Sequence, residues 1–427
     1  MKLSDIKNGN LSAAWAEKGY ELPKFDVEAV KAKTHAEPTW VHFGAGNIFR
    51  AFPAAVLNDA LNSGKYDRGV IVAESFDYEI IDKAYRPYDN LSLLVCLKST
   101  GEIEKKVVAS VTESLKADPS FTEDWARLVE IFQNPSLQMI SFTITEKGYA
   151  LYRPDGSLMP VVQADIDEGP AHARHAMSMV AALLLERFQN GAYPLAVVSM
   201  DNCSHNGDKV KNAVFTYASK WVEQGLVPAE FLAYVQDETK VTFPWSMIDK
   251  ITPRPHKIVE ESLEKDGIEG MTPIVTSKNT FIAAFVNAER PQYLIVEDKF
   301  PNGRPALEKA GVYMTDRETV NKTELAKVQF GTEVESESES TESESVNVSI
   351  VKVNRLVCVG SRIVFLVRIT VFFDLGIAPC ESLDSHFSSD VGSGGPLVFV
   401  LEIEGEVIHL GFCIGQTEEH LCFTANA

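Results

Sequence analysis

An apolar strand that runs directly into a glycine turn and then a helix, at residues 39–62, constrains the fold of this chain most strongly. Residues 39–43 (Thr-Trp-Val-His-Phe) form the strand, Gly44-Ala45-Gly46 form the turn, and a helical pattern follows from residue 47 to residue 62. Small residues in such a turn let the backbone approach a pyrophosphate, and the helix N-terminus attracts negative charge. The unit therefore predicts the first strand and helix of a dinucleotide-binding domain.

Strand and helix patterns go on alternating through the first half of the chain. Further apolar runs lie at 69–73, 91–97, 137–144 and 194–200, with helical patterns at 172–189 and 207–224. This alternation predicts an α/β fold of the Rossmann-like, doubly wound type, in which a mostly parallel sheet is covered by helices on both faces.

An acidic residue, Glu74, follows the second strand at the position where a dinucleotide's ribose hydroxyls are usually bound. The third glycine of the usual fingerprint is missing, because Phe49 stands there. By itself the turn is equally consistent with a simple tight turn. The preceding strand, the following helix and Glu74 together favour a dinucleotide site.

Composition excludes several classes of function. The net charge of −20 argues against nucleic-acid binding, which needs clustered Lys and Arg. Residues 1–20 are polar and contain no apolar core of a signal peptide, which predicts a cytoplasmic protein. The apolar stretch 346–378 is interrupted by five charged residues, so no membrane span is expected. No Cys or His spacing resembles a zinc site, and no metal is predicted.

Cysteines are distributed unevenly along the chain. Cys96 and Cys203 are the two in the first 330 residues, which is typical of a reduced, cytosolic protein. The other four lie in the last 80 residues: Cys358, Cys380, Cys413 and Cys422. One or two disulfides and four unpaired, small hydrophobic side chains are both consistent with that second group.

Five segments, in order, resemble motifs of the mannitol dehydrogenase family, which includes the fructuronate and tagaturonate reductases. They are Gly44–Arg50, Thr143–Tyr149, Ser199–Gly207, Phe243–Pro253 and Glu297–Pro305. Within the fourth, Ile248-Asp249-Lys250-Ile251 stands where the family has Val-Asp-Arg-Ile. The resemblance covers about residues 40–328.

The resemblance implies a metal-free, NAD-dependent oxidoreductase. Such an enzyme moves a hydride between nicotinamide and a secondary alcohol or ketone of a linear polyol or hexuronate, its small-molecule substrate. It also implies that Lys327 is the catalytic base and that the amide of Asn202 stabilises the developing alkoxide. The cofactor-binding residues would be Gly44, Ala45, Gly46, Asn47, Ile48, Phe49, Glu74 and Asp249. A solvated lysine and a turn-capping asparagine are the structural alternatives for the two catalytic residues.

The family's Lys-x4-Asn-x2-His pattern is incomplete here. Thr332 stands in place of the asparagine, and Glu335 stands in place of the histidine. Neither side chain replaces the lost donor, and Glu335 introduces an anion. The sequence therefore predicts impaired turnover, and a catalytically inactive, cofactor-binding fusion or chimeric protein is the alternative.

Four segments are expected along the chain: a Rossmann-like domain at 1–285, the start of a truncated helical domain at 286–331, a Ser/Glu-rich linker at 332–346 and a β-rich tail at 347–427. Strands are predicted at 346–353, 363–373, 396–403 and 406–414. Residues 392–398 resemble the nucleophile loop of trypsin-like proteases. Gly392 replaces the family's aspartate, however, and no suitable histidine precedes it, which favours a plain loop over a hydrolase site.

Overall fold

The computed structural model of the chain divides into two compact units, residues 1–324 and residues 325–427. The structure describes residues 1–7, 12–97, 103–289 and 292–324 of the first unit, and the backbone of six short strands in the second. Lys327, the 332–346 linker and the turn at 392–396 lie outside the described residues.

The described helices are mostly short. They are α1 (Ser12–Glu17), α2 (Val27–Ala36), α3 (Asn47–Ala51), α4 (Pro53–Asn62), α5 (Thr122–Gln133), α6 (Pro160–Glu168), α7 (Ala176–Gln189), α8 (Asn206–Glu223), α9 (Ala229–Gln236), α10 (Lys257–Lys265) and α11 (317–324, where the described part ends).

The strands of the first unit are β1 (Tyr20–Glu21), β2 (Trp40–Phe43), β3 (Val70–Glu74), β4 (Ser92–Leu97), β5 (Ile103–Val108), β6 (Val111–Lys116), β7 (Met139–Phe142), β8 (Leu195–Ser199), β9 (Val241–Thr242), β10 (Ser246–Lys250), β11 (Ile274–Val275), β12 (Phe281–Ile282), β13 (Phe285–Glu289), β14 (Gln292–Glu297) and β15 (Tyr313–Thr315).

A six-stranded sheet with the order β6-β3-β2-β7-β8-β9 forms the centre of the first unit, and every neighbouring pair in it is parallel. Alternate residues of β2 enter different cores: Val41 packs with α5, α7 and α8, whereas Trp40 packs with α3 and α4. Helices therefore cover both faces, as a parallel sheet requires. The predicted doubly wound α/β class is confirmed.

Two further sheets were not anticipated from the sequence. One has the order β1-β5-β4-β13 and places residues 285–289 beside residues 93–97. The other has the order β10-β14-β15. They form because distant segments pair, which local patterns do not reveal.

Local differences from the predicted elements have simple causes. The helix expected at 47–62 is broken at Phe52, and Pro53 begins α4 at the first helical position, where its missing N–H costs nothing. The helix expected from 207 begins one residue earlier. Asp316 caps the start of α11, since its Oδ1 accepts the N–H of Thr319 at 2.8 Å.

The described strands of the second unit are β16 (Val348–Ile350), β17 (Leu356–Val359), β18 (Arg362–Phe365), β19 (Val371–Phe373), β20 (Leu397–Ile403) and β21 (Glu406–Phe412). They pair antiparallel as β16 with β19, β17 with β18, and β20 with β21. These described strands overlap the segments predicted at 346–353, 363–373, 396–403 and 406–414, and β17 was not predicted.

Candidate functional site

The glycine turn lies at the carboxyl edge of the parallel sheet, between β2 and α3. Gly44 has φ +105°, and a Cβ there would lie 2.4 Å from the carbonyl oxygen of Thr143. No other residue fits this position without moving β7's end. A Cβ on Gly46 would meet nothing within 4 Å, so the turn opens onto free space on that side. This is the geometry that lets a ligand approach the backbone.

The residues after the turn divide between the site and the core. Asn47 is half-buried, and its Oδ1 accepts a hydrogen bond from Arg50 at 2.8 Å. Ile48 packs partly against the core that contains Phe49. Phe49 is fully buried and stacks on His42 with ring centroids 4.1 Å apart. Phe49 can therefore serve a ligand only through its backbone.

Glu74 joins the glycine turn to the loop that follows β3. One carboxylate oxygen accepts the N–H of Ala45 at 2.7 Å, and the other accepts the N–H groups of Phe76 and Asp77 at 2.9 and 3.1 Å. Burial raises the pKa of Glu74, against the lowering effect of these backbone donors. Since a carboxylate has about four acceptor sites, roughly one remains for a ligand. Glu74, which was predicted to bind the ribose, therefore also holds the glycine turn to the loop after β3.

A buried histidine beneath the turn was not singled out from the sequence. Nδ1 of His42 lies 2.6 Å from Ser141 Oγ, and Nε2 lies 2.9 Å from Thr143 Oγ1. Burial holds the pKa of His42 well below its usual value. The neutral ring thus links β2 to β7 just below Gly44. Nothing distinguishes such a histidine from an ordinary strand residue in the sequence.

Asp201, at the end of β8, holds the motif that follows β7. Its carboxylate accepts the N–H groups of Ile144 and Thr145, both at 2.9 Å, and the hydroxyl of Tyr149 at 2.5 Å. Burial raises the pKa of Asp201, and burial together with Asp201 raises the pKa of Tyr149 well above its usual range. Thr145 has φ +64°, an unfavourable conformation for a β-branched residue, and this clamp stabilises it.

The exposed side chain of Asn202 follows Asp201 directly. Asn206 fixes the backbone around it: Nδ2 donates to the carbonyl oxygens of Asp201 and Ser246, and Oδ1 accepts the N–H of Ser246. Gly207 is required here, because a Cβ would lie 2.7 Å from the carbonyl oxygen of Phe243. The Asp-Asn and Asn-Gly elements therefore form one rigid corner that presents Asn202 to solvent.

The described end of α11 reaches this same corner. Oε2 of Glu324 accepts the N–H of His205 at 3.2 Å, and Glu324 is 5% exposed. His205 stacks on Trp245 with ring centroids 4.5 Å apart, and the Arg317 guanidinium lies 5.0 Å from the Trp245 ring centroid. These contacts attach α11 to the start of α8.

Asp249 lies on β10, in the small sheet rather than the parallel one. It is half-buried and in register with Tyr293, whose pKa is raised by burial and by Asp249. Ser246, at the start of the same strand, is bound by Asn206. Gly44 to Phe49 and Glu74 thus meet in one place, whereas Asp249 is connected to the Asn202 corner through β10.

Within the described ranges, no group of three or more His, Cys, Asp or Glu is arranged to hold a metal ion, and no helix is long and apolar enough to cross a membrane.

The Rossmann class of α/β protein is defined by three features that this chain has. They are a parallel sheet with helices on both faces, a glycine turn that excludes a side chain, and an acidic residue at the end of the next strand. The chain belongs to the mannitol dehydrogenase family, because the family model for the mannitol dehydrogenase Rossmann domain matches residues 38–309.

Named relatives agree with this assignment. The chain is 54% identical over 318 residues to D-mannonate oxidoreductase of Thermotoga maritima, covering 74% of this chain and 58% of the relative. It is 30% identical over 307 residues to mannitol 2-dehydrogenase of Cereibacter sphaeroides, covering 69% and 56%. Among solved structures, the ternary complex of Pseudomonas fluorescens mannitol 2-dehydrogenase with NAD and D-mannitol matches at TM-score 0.59 and 26% identity, covering 73% of this chain and 57% of that one. The chain spans somewhat under three fifths of the length of each of these relatives.

Proposed function

We propose that this chain is an NAD-dependent oxidoreductase scaffold that moves a hydride between nicotinamide and a secondary alcohol or ketone carbon of a linear hexuronate or polyol. The observation that carries the proposal is the shared carboxyl edge of the sheet, where the Gly44 turn and Glu74 lie beside the rigid Asn202 corner. A mannonate/fructuronate type of substrate is favoured over mannitol/fructose, because the relative at 54% identity is a D-mannonate oxidoreductase.

The cofactor would lie across the glycine turn, with NAD supplying the hydride acceptor or donor. The open space at Gly46 fits a pyrophosphate, which the backbone N–H groups of Asn47, Ile48 and Phe49 at the start of α3 would bind. The remaining acceptor site of Glu74 would bind a ribose hydroxyl. Asp249 would support the cofactor from β10.

On the substrate side, a proton must leave the alcohol oxygen as the hydride departs. Lys327 is the base in this proposal, and its pKa must fall from about 10.4 for it to serve near neutral pH. Asn202 would donate its side-chain N–H to the developing alkoxide. The clamp of Asp201 and Asn206 keeps that amide in place without a rearrangement during the reaction.

Turnover is impaired in this proposal, because Thr332 and Glu335 replace the asparagine and histidine of the motif. Removal of one alkoxide-stabilising donor typically lowers the rate by about 10²–10³. A catalytically inactive protein that still binds the cofactor is the second candidate, and the same two substitutions favour it. We further infer that the chain consists of the four segments predicted from the sequence. We also infer that it acts in the cytoplasm on a small-molecule substrate.

The test is NADH binding and NADH oxidation by the full chain, with fructuronate and fructose as substrates and the Thermotoga maritima relative assayed in parallel. We expect NADH to bind and oxidation to run orders of magnitude below the relative. Asn202→Ala and Lys327→Ala should abolish the residual rate. Lys322→Ala, on α11 and paired with Glu318 at 2.8 Å, is the matched control and should not change it.

Three outcomes separate the alternatives. Turnover at an ordinary rate of about 1–10³ per second would contradict the impairment. Binding without any measurable oxidation would favour the inactive alternative. Absence of NADH binding would refute the proposed function.

A further inference from the structure

The loop that follows β7 lies between the two parts of the proposed site. β7 is paired with β2 on one side and with β8 on the other. Its carboxyl end therefore lies between the glycine turn, which follows β2, and the Asn202 corner, which follows β8. A side chain that this loop presents to solvent lies next to the expected positions of both the cofactor and the substrate.

This loop is fixed although it lies at the surface. Asp201 accepts the N–H groups of Ile144 and Thr145, and a short 3-10 turn, Glu146–Gly148, follows them. A Cβ on Gly148 would lie 2.7 Å from the side chain of Ile144, so the turn packs closely on the end of the strand. Thr145 has φ +64°, and strained backbone of this kind is concentrated at ligand-binding and catalytic sites.

Lys147 is a cation that this loop presents to solvent. Four exposed residues line an open cleft here: Thr145, Glu146, Lys147 and Ala150. Glu146 is already neutralised by Lys209, whose Nζ lies 2.5 Å from its Oε1. Lys147, in contrast, makes no ion pair with any residue that the structure describes. The cleft therefore contains an ammonium group without a counter-ion, in a chain whose net charge is −20.

We propose that Lys147 binds the carboxylate of a hexuronate substrate and thereby selects sugar acids over uncharged polyols. This inference rests on the proposed function, and it names the residue that determines the substrate class. An ammonium group has three donors and a full positive charge, so its hydrogen bonds to a carboxylate are stronger than those to a hydroxyl. A polyol offers Lys147 only neutral acceptors.

One aspartate fixes the positions of the two groups that would bind the substrate. Asp201 holds the backbone just before Lys147, and Asn202 is the next residue along the chain from Asp201. In a hexuronate the carboxylate is remote from the secondary carbon that reacts, so the two ends of the molecule need separate partners. With its reacting carbon at the Asn202 amide, a linear acid can extend through the cleft to Lys147. Such fixed positions at both ends also orient the reacting carbon.

The experiment measures the binding of mannonate and of mannitol to the full chain saturated with NADH. Neither alcohol can accept a hydride from NADH, so calorimetry reports affinity without turnover. We expect Lys147→Met to weaken mannonate binding about 10-fold or more, because a hydrogen bond to a charged group is lost. The affinities for mannitol and for NADH should not change. Lys147→Arg should keep most of the affinity for mannonate, and added salt should weaken mannonate binding more in the full chain than in Lys147→Met.

Lys220→Met is the matched control, since Lys220 is a partly exposed lysine in the last turn of α8, the helix that begins at the Asn202 corner. Equal mannonate affinity in Lys147→Met and the full chain would overturn the assignment while leaving the proposed function intact. Absence of mannonate binding to the NADH-bound chain would also overturn it. So would equal weakening of mannonate and mannitol, because the effect would then be on the loop and not on the charge. If the unmodified chain does not bind NADH, the proposed function fails first, and the assignment of Lys147 fails with it.

Discussion

Replacing Asp201 by asparagine tests the clamp at the end of β8 with a nearly isosteric change. The carboxylate accepts three hydrogen bonds, two from backbone N–H groups and one from the Tyr149 hydroxyl. An amide has one oxygen and an NH2 group in their place. Whichever way the amide is oriented, its nitrogen faces the part-buried N–H of Ile144 or of Thr145. At least one charge-assisted hydrogen bond is lost, and one part-buried donor is left without an acceptor in the protein.

Each of these losses has a typical magnitude. A hydrogen bond to a charged group contributes about 1.5–3 kcal/mol, and a buried unsatisfied donor costs about 1–3 kcal/mol. Because the two backbone donors are only part-buried, the lower ends of these ranges apply, and the expected decrease in the free energy of unfolding is about 2.5 kcal/mol or more. That is a large part of the total for an ordinary domain. The unfavourable φ of Thr145 adds to the effect, because its N–H is one of the donors released.

Urea unfolding followed by tryptophan fluorescence measures the change, and hydrogen exchange of peptides covering residues 143–149 locates it. Asp201→Asn should lower the urea midpoint by about 1 M or more at an unchanged slope, and exchange should accelerate at Ile144 and Thr145. Tyr149→Phe is the control: it removes a single donor, so its cost should be nearer 1 kcal/mol. A loss below about 1 kcal/mol for Asp201→Asn, with unchanged exchange, would refute the clamp.

Two further predictions concern the cofactor and pH. The full chain should bind NADH at least about 10-fold more tightly than NADPH, because Glu74 repels a 2′-phosphate. Glu74→Ser should reduce this difference in affinity. Tighter binding of NADPH than of NADH in the fluorescence titration would contradict the assignment of Glu74 to the ribose. Burial depresses the pKa of His42 and of His175 in the folded state, so the stabilisation is present above the unfolded value near 6.5 and is lost as pH falls below it. The free energy of unfolding should therefore drop below pH 6.5 by up to about 1.4 kcal/mol per pH unit for each histidine. His42→Gln should flatten that slope in urea titrations at pH 5 and pH 7, and an unchanged slope would exclude His42 as its source.

The parallel sheet was predictable from the sequence because its strands are short apolar runs that alternate with helices. The pairing of β4 with β13 was not, since nothing in residues 92–97 indicates a partner at 285–289. The Gly44 turn and Glu74 were found from their spacing. The triple backbone contact of Glu74 was hidden, because burial of an acid depends on tertiary packing. His42 and Asp201 were hidden for the same reason, and the assigned roles of Lys327, Asn202 and Asp249 stay predictions.

The β1-β5-β4-β13 sheet, which contains both parallel and antiparallel pairs, is completed late during synthesis of the chain. All six parallel strands have left the ribosome once residue 242 has emerged, whereas β4 lacks its neighbour on one side until residues 285–289 follow. During that interval β4 presents unpaired N–H and C=O groups along Leu93–Leu97, and such an edge pairs readily with strands of other chains. A product released between residues 250 and 284 would keep this edge open permanently. Aggregation of nascent or truncated chains should therefore begin at β4 and end when β13 is supplied.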